Sequence, residues 1–283
     1  MAGFRDRQRK WNVIFALICM LLVVFLSGML ILGKKTEKEE QIRLKALAEK
    51  KQNMAQETVA EHQIADPTGE QSTAEAERAT EGIVCWGDEF LSGEEAVNYS
   101  YKSVLQRILQ ENGYTLPVQD KTLEGAGTLS VMTMAGVPGE QVHQFIEKHQ
   151  LDAAGAELAV TETEIRELTP EQMARTDVNC IPVIFMGYYG GWNHDPAELA
   201  EQQQKILDTF SDKEKFLIVG AMPLDGAMDA VGMDTVLRER WGEHYISTAE
   251  VCSTPITTYE AQAQIAQTLF NKLVELNYIQ KEG

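Results

Sequence analysis

The sequence predicts an α/β fold: a parallel sheet covered by helices on both faces as a three-layer sandwich, preceded by one membrane-spanning helix and a charged stalk. Three observations predict it. From residue 82 onward, short apolar runs rich in β-formers alternate with stretches of helical periodicity, the pattern of a parallel sheet with crossover helices. A charge-free apolar run fills residues 13–33, enough at about 1.5 Å per residue to cross a hydrocarbon core of roughly 30 Å. Between the two lies a segment dominated by Glu, Lys, Gln and Ala, which has too few apolar side chains for a core.

Residues 1–12 form a short tail carrying Arg5, Arg7, Arg9 and Lys10. The run Val13 to Gly33 is read as a transmembrane helix in preference to a cleaved signal peptide, because it exceeds the usual ~7 to 15 apolar residues and no small-x-small site precedes Lys34-Lys35. Basic residues flank it on both sides, so the positive-inside count does not orient it cleanly. A brief basic segment before a first apolar stretch favours a cytoplasmic tail, with the bulk of the chain extracytoplasmic. Residues 34–81 are the stalk, helical where Glu and Lys interleave and stopped by Asp66-Pro67-Thr68-Gly69. Leu44, Leu47 and Met54 hint at a coiled-coil seam, but the repeat is too short, and a solvated spacer is preferred.

Residues 82–283 form the folded domain. Strands are expected at Gly82 to Trp86, Pro117 to Leu123, Ile181 to Met186, Phe216 to Ala221 and Tyr245-Ile246. Helices are expected at Ser100 to Gln110, where Val104, Leu105, Ile108 and Leu109 recur at helical spacing, and at Pro196 to Phe210 and Ala261 to Asn277. Residues 139–179 are polar and read as an insertion, with the alternating piece Glu157 to Ile165 as a small hairpin or edge strand. Ligands of such sheets bind outside the carboxyl ends of the strands. Those ends carry Asp88, Glu89, Gly125 to Thr128, Tyr188, Tyr189 and Trp192.

The 283 residues hold 43 acidic and 25 basic side chains, a formal charge of −18, which argues against nucleic acid as a partner. Cys19 falls in the apolar run, and Cys85, Cys180 and Cys252 have no close spacing for a metal or redox site. A disulfide between two of these three is permitted outside the cytoplasm without the sequence naming the pair. Neither a metal site nor a cofactor is expected.

The run Ile83 to Phe90, IVCWGDEF, breaks on Gly87-Asp88 and is followed by a helix. In this it resembles the SGNH (GDSL-type) esterase and acylhydrolase family, a flavodoxin-like three-layer fold, over roughly residues 82–278. The resemblance implies a nucleophilic serine at Glu89, a glycine loop offering backbone N–H at Gly125 and Gly127, an oxyanion asparagine at Tyr189 within Gly187-Tyr188-Tyr189-Gly190, and an acid and a base at Ser253 and Ile256. None of these positions holds the family's side chain. A degenerate, non-catalytic member is therefore expected, since loss of triad members removes most of the rate.

Other readings of the same residues stand beside this one. Asp88 and Glu89 are paired carboxylates for acid–base work or a cation, or plain capping residues. Tyr188, Tyr189 and Trp192, with Asn193, form an aromatic pocket, or some of them belong to the core. His194-Asp195 is a spare catalytic pair, or a turn in which Asp195 caps the next helix. Two functions follow: a membrane-tethered binding domain for an envelope glycan or protein partner, or an esterase or acyltransferase using Ser92, Ser100 or Ser130 with His143 or His194. A purely structural spacer is the third.

Overall fold

The computed structural model describes residues 80–281. The expected basic tail, the apolar run 13–33 and nearly all of the stalk lie outside the described residues. Among the described residues no helix is long and apolar enough to cross a membrane.

Five strands form one parallel sheet: β1 Ile83–Asp88, β2 Val118–Leu123, β3 Ile181–Met186, β4 Leu217–Gly220 and β5 Tyr245–Ser247. Their order across the sheet is β2-β1-β3-β4-β5. β1 therefore pairs with β2 on one side and β3 on the other, Ile83 facing Val118 and Ile181. The chain reverses its direction of travel across the sheet between β1 and β3, which opens a crevice at their carboxyl ends.

The residue patterns explain this order. β1 (IVCWGD) and β3 (IPVIFM) are buried at every position, as central strands covered on both faces must be. β2 (VQDKTL) is polar and only partly buried, which suits an edge. β5 closes the other edge with three residues.

Successive side chains point to opposite faces, so the sheet feeds two cores. Val84, Trp86, Ile184, Met186 and Ile218 pack under one helical layer. This layer contains α3 Gly127–Met134, α4 Gly139–Asp152, α7 Pro196–Leu207 and α8 Ala230–Trp241. Ile83, Cys85, Val183, Phe185, Val219 and Ile246 pack against the other, which contains α2 Tyr101–Glu111 and α10 Tyr259–Glu275. Short helices complete the chain: α1 Gly93–Tyr99, α5 Val160–Thr163, α6 Pro170–Met173 and α9 Thr248–Val251.

The three-layer α/β reading thus holds for the described residues, with two differences. The polar stretch 139–179 contains the fourteen-residue helix α4, whose buried face is Val142, Phe145, Ile146 and His149. The alternating piece Glu157 to Ile165 is not a strand. It contains α5, where Val160 is exposed and Glu162 is buried, the reverse of an apolar-in alternation. Glu162 turns inward because its carboxylate accepts backbone N–H groups there.

Candidate functional site at the carboxyl edge of the sheet

Two glycines shape the crevice. Gly87, at φ +121°, lies so close to β3 that a Cβ would overlap the Phe185 carbonyl oxygen. Gly187 has φ +116°, and a Cβ there would stand 3.1 Å from Leu199. Only glycine takes these backbone angles without strain, so both strands can turn sharply where they exit side by side.

Asp88 follows the first turn and is fully buried. Its Oδ2 accepts the Tyr188 N–H at 2.7 Å, tying the exit of β1 to the loop after β3. Burial pushes its carboxyl up to about 7, against the backbone N–H groups of Tyr188, Gly187 and Tyr189, which pull it down. Its Oδ1 has no partner among the described residues.

Glu89 diverges from it. Oε1 accepts the Phe90 and Leu91 N–H groups at 3.0 and 3.2 Å, and Oε2 is ion-paired to Lys102 and accepts from Thr122 Oγ1 at 3.1 Å. Lys102 also reaches Asp120 at 3.0 Å. The two carboxylates expected as a pair therefore have separate jobs, one holding the β3 exit and the other capping its own turn and neutralising a buried lysine.

Of the two glycines expected to supply backbone N–H, Gly125 stands in an exposed turn, with open space where a Cβ would be. Gly127 is buried against α5, 2.8 Å from Thr161 at the Cβ position. The next N–H, that of Thr128, is consumed by the Gly190 carbonyl at 3.0 Å.

Tyr188 and Tyr189 are half-buried and meet edge to face, their ring centroids 5.0 Å apart. Phe90 lies 5.4 Å from Tyr188 in the same manner. Tyr189 Oη donates to the Glu89 carbonyl at 2.9 Å, and its phenol is pushed up to about 12 by burial and then by the charge of Asp88. Trp192 does not join this platform. It is fully buried, and its indole N–H donates to the Gly187 carbonyl at 2.8 Å.

Asn193 and His194 both have left-handed backbones, at φ +51° and +52°. Asn193 Nδ2 donates to Asp152 at 3.1 Å. His194 is not partnered by Asp195, which instead caps α7 by accepting the Ala197 N–H at 3.0 Å. Its Nε2 lies 2.8 Å from Asp225 Oδ2, in the loop after β4.

Ser253 is exposed and hydrogen-bonds Glu260 at 3.1 Å and Gln264 at 2.9 Å. Ile256 lines a cavity of about 300 Å³ at the ends of β3, β4 and β5, together with Tyr188, Met222, Leu224, Thr248 and Cys252. No charged side chain lines it, and burial pushes the Cys252 thiol up to about 11. A larger hollow of about 580 Å³ lies beside α8, lined by Asp234, Arg238, Glu239 and Glu250. The smaller cavity is the one set at the strand ends, where ligands of such sheets bind.

Among the described residues no hydrogen bond joins Ser92, Ser100 or Ser130 to a histidine. Ser92 is exposed, Ser100 bonds Ser103 at 3.1 Å, and Ser130 accepts the Arg166 N–H at 2.9 Å. His143 pairs with Glu147 at 3.9 Å on the surface of α4. Among the described residues no group of three or more His, Cys, Asp or Glu could hold a metal ion, and Cys85, Cys180 and Cys252 are free thiols.

Sequence reasoning missed a second layer beneath the β3 loop. Glu162 accepts the N–H groups of Gly191 and Asn193 at 2.7 and 2.9 Å. His149 bridges the Glu162 carbonyl, at 2.7 Å from Nδ1, and the Glu198 carboxylate. One signal was present: His149 continues the apolar stripe of Val142, Phe145 and Ile146 at helical spacing, which marks a buried histidine.

No known family profile and no curated protein sequence matches the chain. Among solved structures it is similar to a "putative arylesterase from Agrobacterium tumefaciens str. C58" at 15% identity, with a TM-score of 0.39, over 69% of this chain and 99% of that one. A likeness of this size carries no functional argument.

Proposed function

We propose that this chain is a membrane-anchored, extracytoplasmic SGNH-like domain that has lost esterase chemistry and binds an envelope glycan or a protein partner at the carboxyl edge of its sheet. The observation that carries the reading is the state of Glu89. At the turn where a nucleophilic serine would stand, the side chain is a carboxylate held by Lys102, Thr122 and two backbone N–H groups. Neither an attacking hydroxyl nor a free base remains there. Tyr189, Ser253 and Ile256 support the same reading, because none of them hydrogen-bonds a histidine. The uncharged cavity beside them, with a tyrosine at its wall, suits a neutral ring or an apolar group.

The test uses the full-length chain in detergent, offered p-nitrophenyl acetate and a fluorophosphonate probe, with thermal stabilisation by envelope glycans measured in parallel. No labelling together with a glycan- or partner-dependent rise in Tm supports the proposal. Turnover abolished by mutation of one serine overturns it. The second reading, an esterase with relocated groups, draws on His194 and Asp225, a histidine–carboxylate pair whose Asp225 follows Leu224 of the cavity wall. It requires that His194→Ala remove any such turnover.

A further inference from the structure

We propose that protonation of His149 sets the position of the loop after β3 and so makes the binding edge pH-regulated; this rests on reading that edge as the ligand site. His149 is fully enclosed, and both of its ring nitrogens face oxygens that can only accept. Nδ1 lies 2.7 Å from the Glu162 carbonyl oxygen, and Nε2 abuts a Glu198 carboxylate oxygen. A carbonyl and an ionised carboxylate each require a donor, so with Glu198 ionised against the Lys148 ammonium both nitrogens carry a proton and the ring is an imidazolium.

The loop depends on this cation. Glu162 Oε1 and Oε2 accept the Gly191 and Asn193 N–H groups, and Glu162 Oε2 lies 3.4 Å from His149 Nδ1. The Gly191 carbonyl accepts from Thr128 Oγ1 at 2.7 Å and from Gln202 Nε2 at 2.8 Å. The charged groups facing the ring from its surroundings are Glu162 on α5 and Glu198 on α7. Lys148 on α4 holds Glu198 at 2.6 Å and the more exposed Asp195 at 3.5 Å. Two cations thus balance the two buried carboxylates.

Burial alone would lower the His149 pKa, but the hydrogen bonds to Glu198 and to the Glu162 carbonyl, with the charges of both glutamates, outweigh it and raise it above 6.5. For a raised histidine, the stabilisation is complete below the unfolded value and is lost as pH rises through the folded one. Loss of the proton leaves an acceptor facing an acceptor and removes the charge that holds Glu162 in place. Asn193 and His194, kept in left-handed conformations, are then free to relax, and the loop shifts.

The experiment uses the full-length chain and no ligand. NMR of ¹⁵N-labelled protein reads the His149 ring, and hydrogen exchange, corrected for intrinsic rates, reads the Gly191 and Asn193 amides. The expected result is two protonated ring nitrogens near pH 6 and a fall of at least tenfold in amide protection as pH rises, with one shared midpoint. Glu198→Gln moves that midpoint down. Lys148→Met, which leaves His149 and Gln202 as partners of Glu198, moves it up, because it removes a competing cation. A singly protonated ring near pH 6, protection that does not change as His149 titrates, or a midpoint that neither variant moves would overturn the proposal. Absence of glycan binding would count against the functional reading and leave these readouts intact.

Discussion

Lys102 and Glu89 form a buried ion pair at the exit of β1, with 7% and 12% of their side chains exposed. Lys102 comes from α2, thirteen residues on, so the pair fastens the layer of α2 and α10 to the turn that shapes the crevice. Removing one partner strands the other charge in a poorly solvated place. Lys102→Met is therefore expected to destabilise the fold by about 3–5 kcal/mol, and pairing it with Glu89→Gln should recover a large part of that loss. Denaturant unfolding of the two single variants and the double variant, treated as a cycle, measures the coupling. Additive losses would show that the two groups act independently.

Asp88 makes stability depend on pH. Its carboxyl is raised from 3.8 to about 7 by burial, so between those values the unfolded chain releases a proton that the folded chain retains. The sign follows: stability is complete below the ordinary carboxylate value and falls as pH rises towards about 7. Tm measured from pH 4 to 8 should show this decline, and Asp88→Asn should flatten it. An unchanged profile in the variant would mean that other groups cause it.

The glycines differ sharply in what they tolerate. Gly87→Ala collides with the Phe185 backbone as well as straining its own φ, and is expected to abolish accumulation of folded protein. At Gly125, φ is +67° but nothing lies within 4 Å of the Cβ position, so alanine costs only the left-handed strain of about 1–2 kcal/mol. Expression yield and thermal melting of the two variants separate steric from conformational cost.

Ile256 stands in the wall of the cavity and is packed, half-buried, against the core beneath α2 and α10. Ile256→Trp should fill that space and cancel any glycan-dependent rise in Tm, read against the Tm of the unliganded variant. Retained stabilisation by ligand would move the binding site elsewhere.

Tyr189 Oη donates its one proton to the Glu89 carbonyl. Tyr189→Phe should cost about 0.5–1.5 kcal/mol, the net worth of one such hydrogen bond, and leave any esterase signal unchanged. A loss of turnover in this variant would instead assign the phenol a chemical role.

Local pattern alone was enough to read the central strands, because β1 and β3 lie between two layers and must be apolar on both faces. It was also enough for α2, α7 and α10, whose spacing repeats every turn, and for the cap at Asp195. It misled at Glu157 to Ile165, where alternation suggested a strand although Glu162 points inward to backbone partners about thirty residues away. It also overlooked α3, whose residues are buried almost all round, leaving no polar face to mark a helical period.

The sequence by itself determined the layered α/β order, the apolar central strands and the absence of a serine after Gly87-Asp88, since each depends on neighbours within one element. Only the tertiary structure decided what the polar groups do. Trp192 was buried rather than presented, His194 was matched with Asp225 rather than Asp195, Glu89 was locked to Lys102, and His149 was placed between Glu162 and Glu198. Periodicity records which face of an element meets a core. It carries no record of which charge, 13 to 49 residues away, will be folded against it.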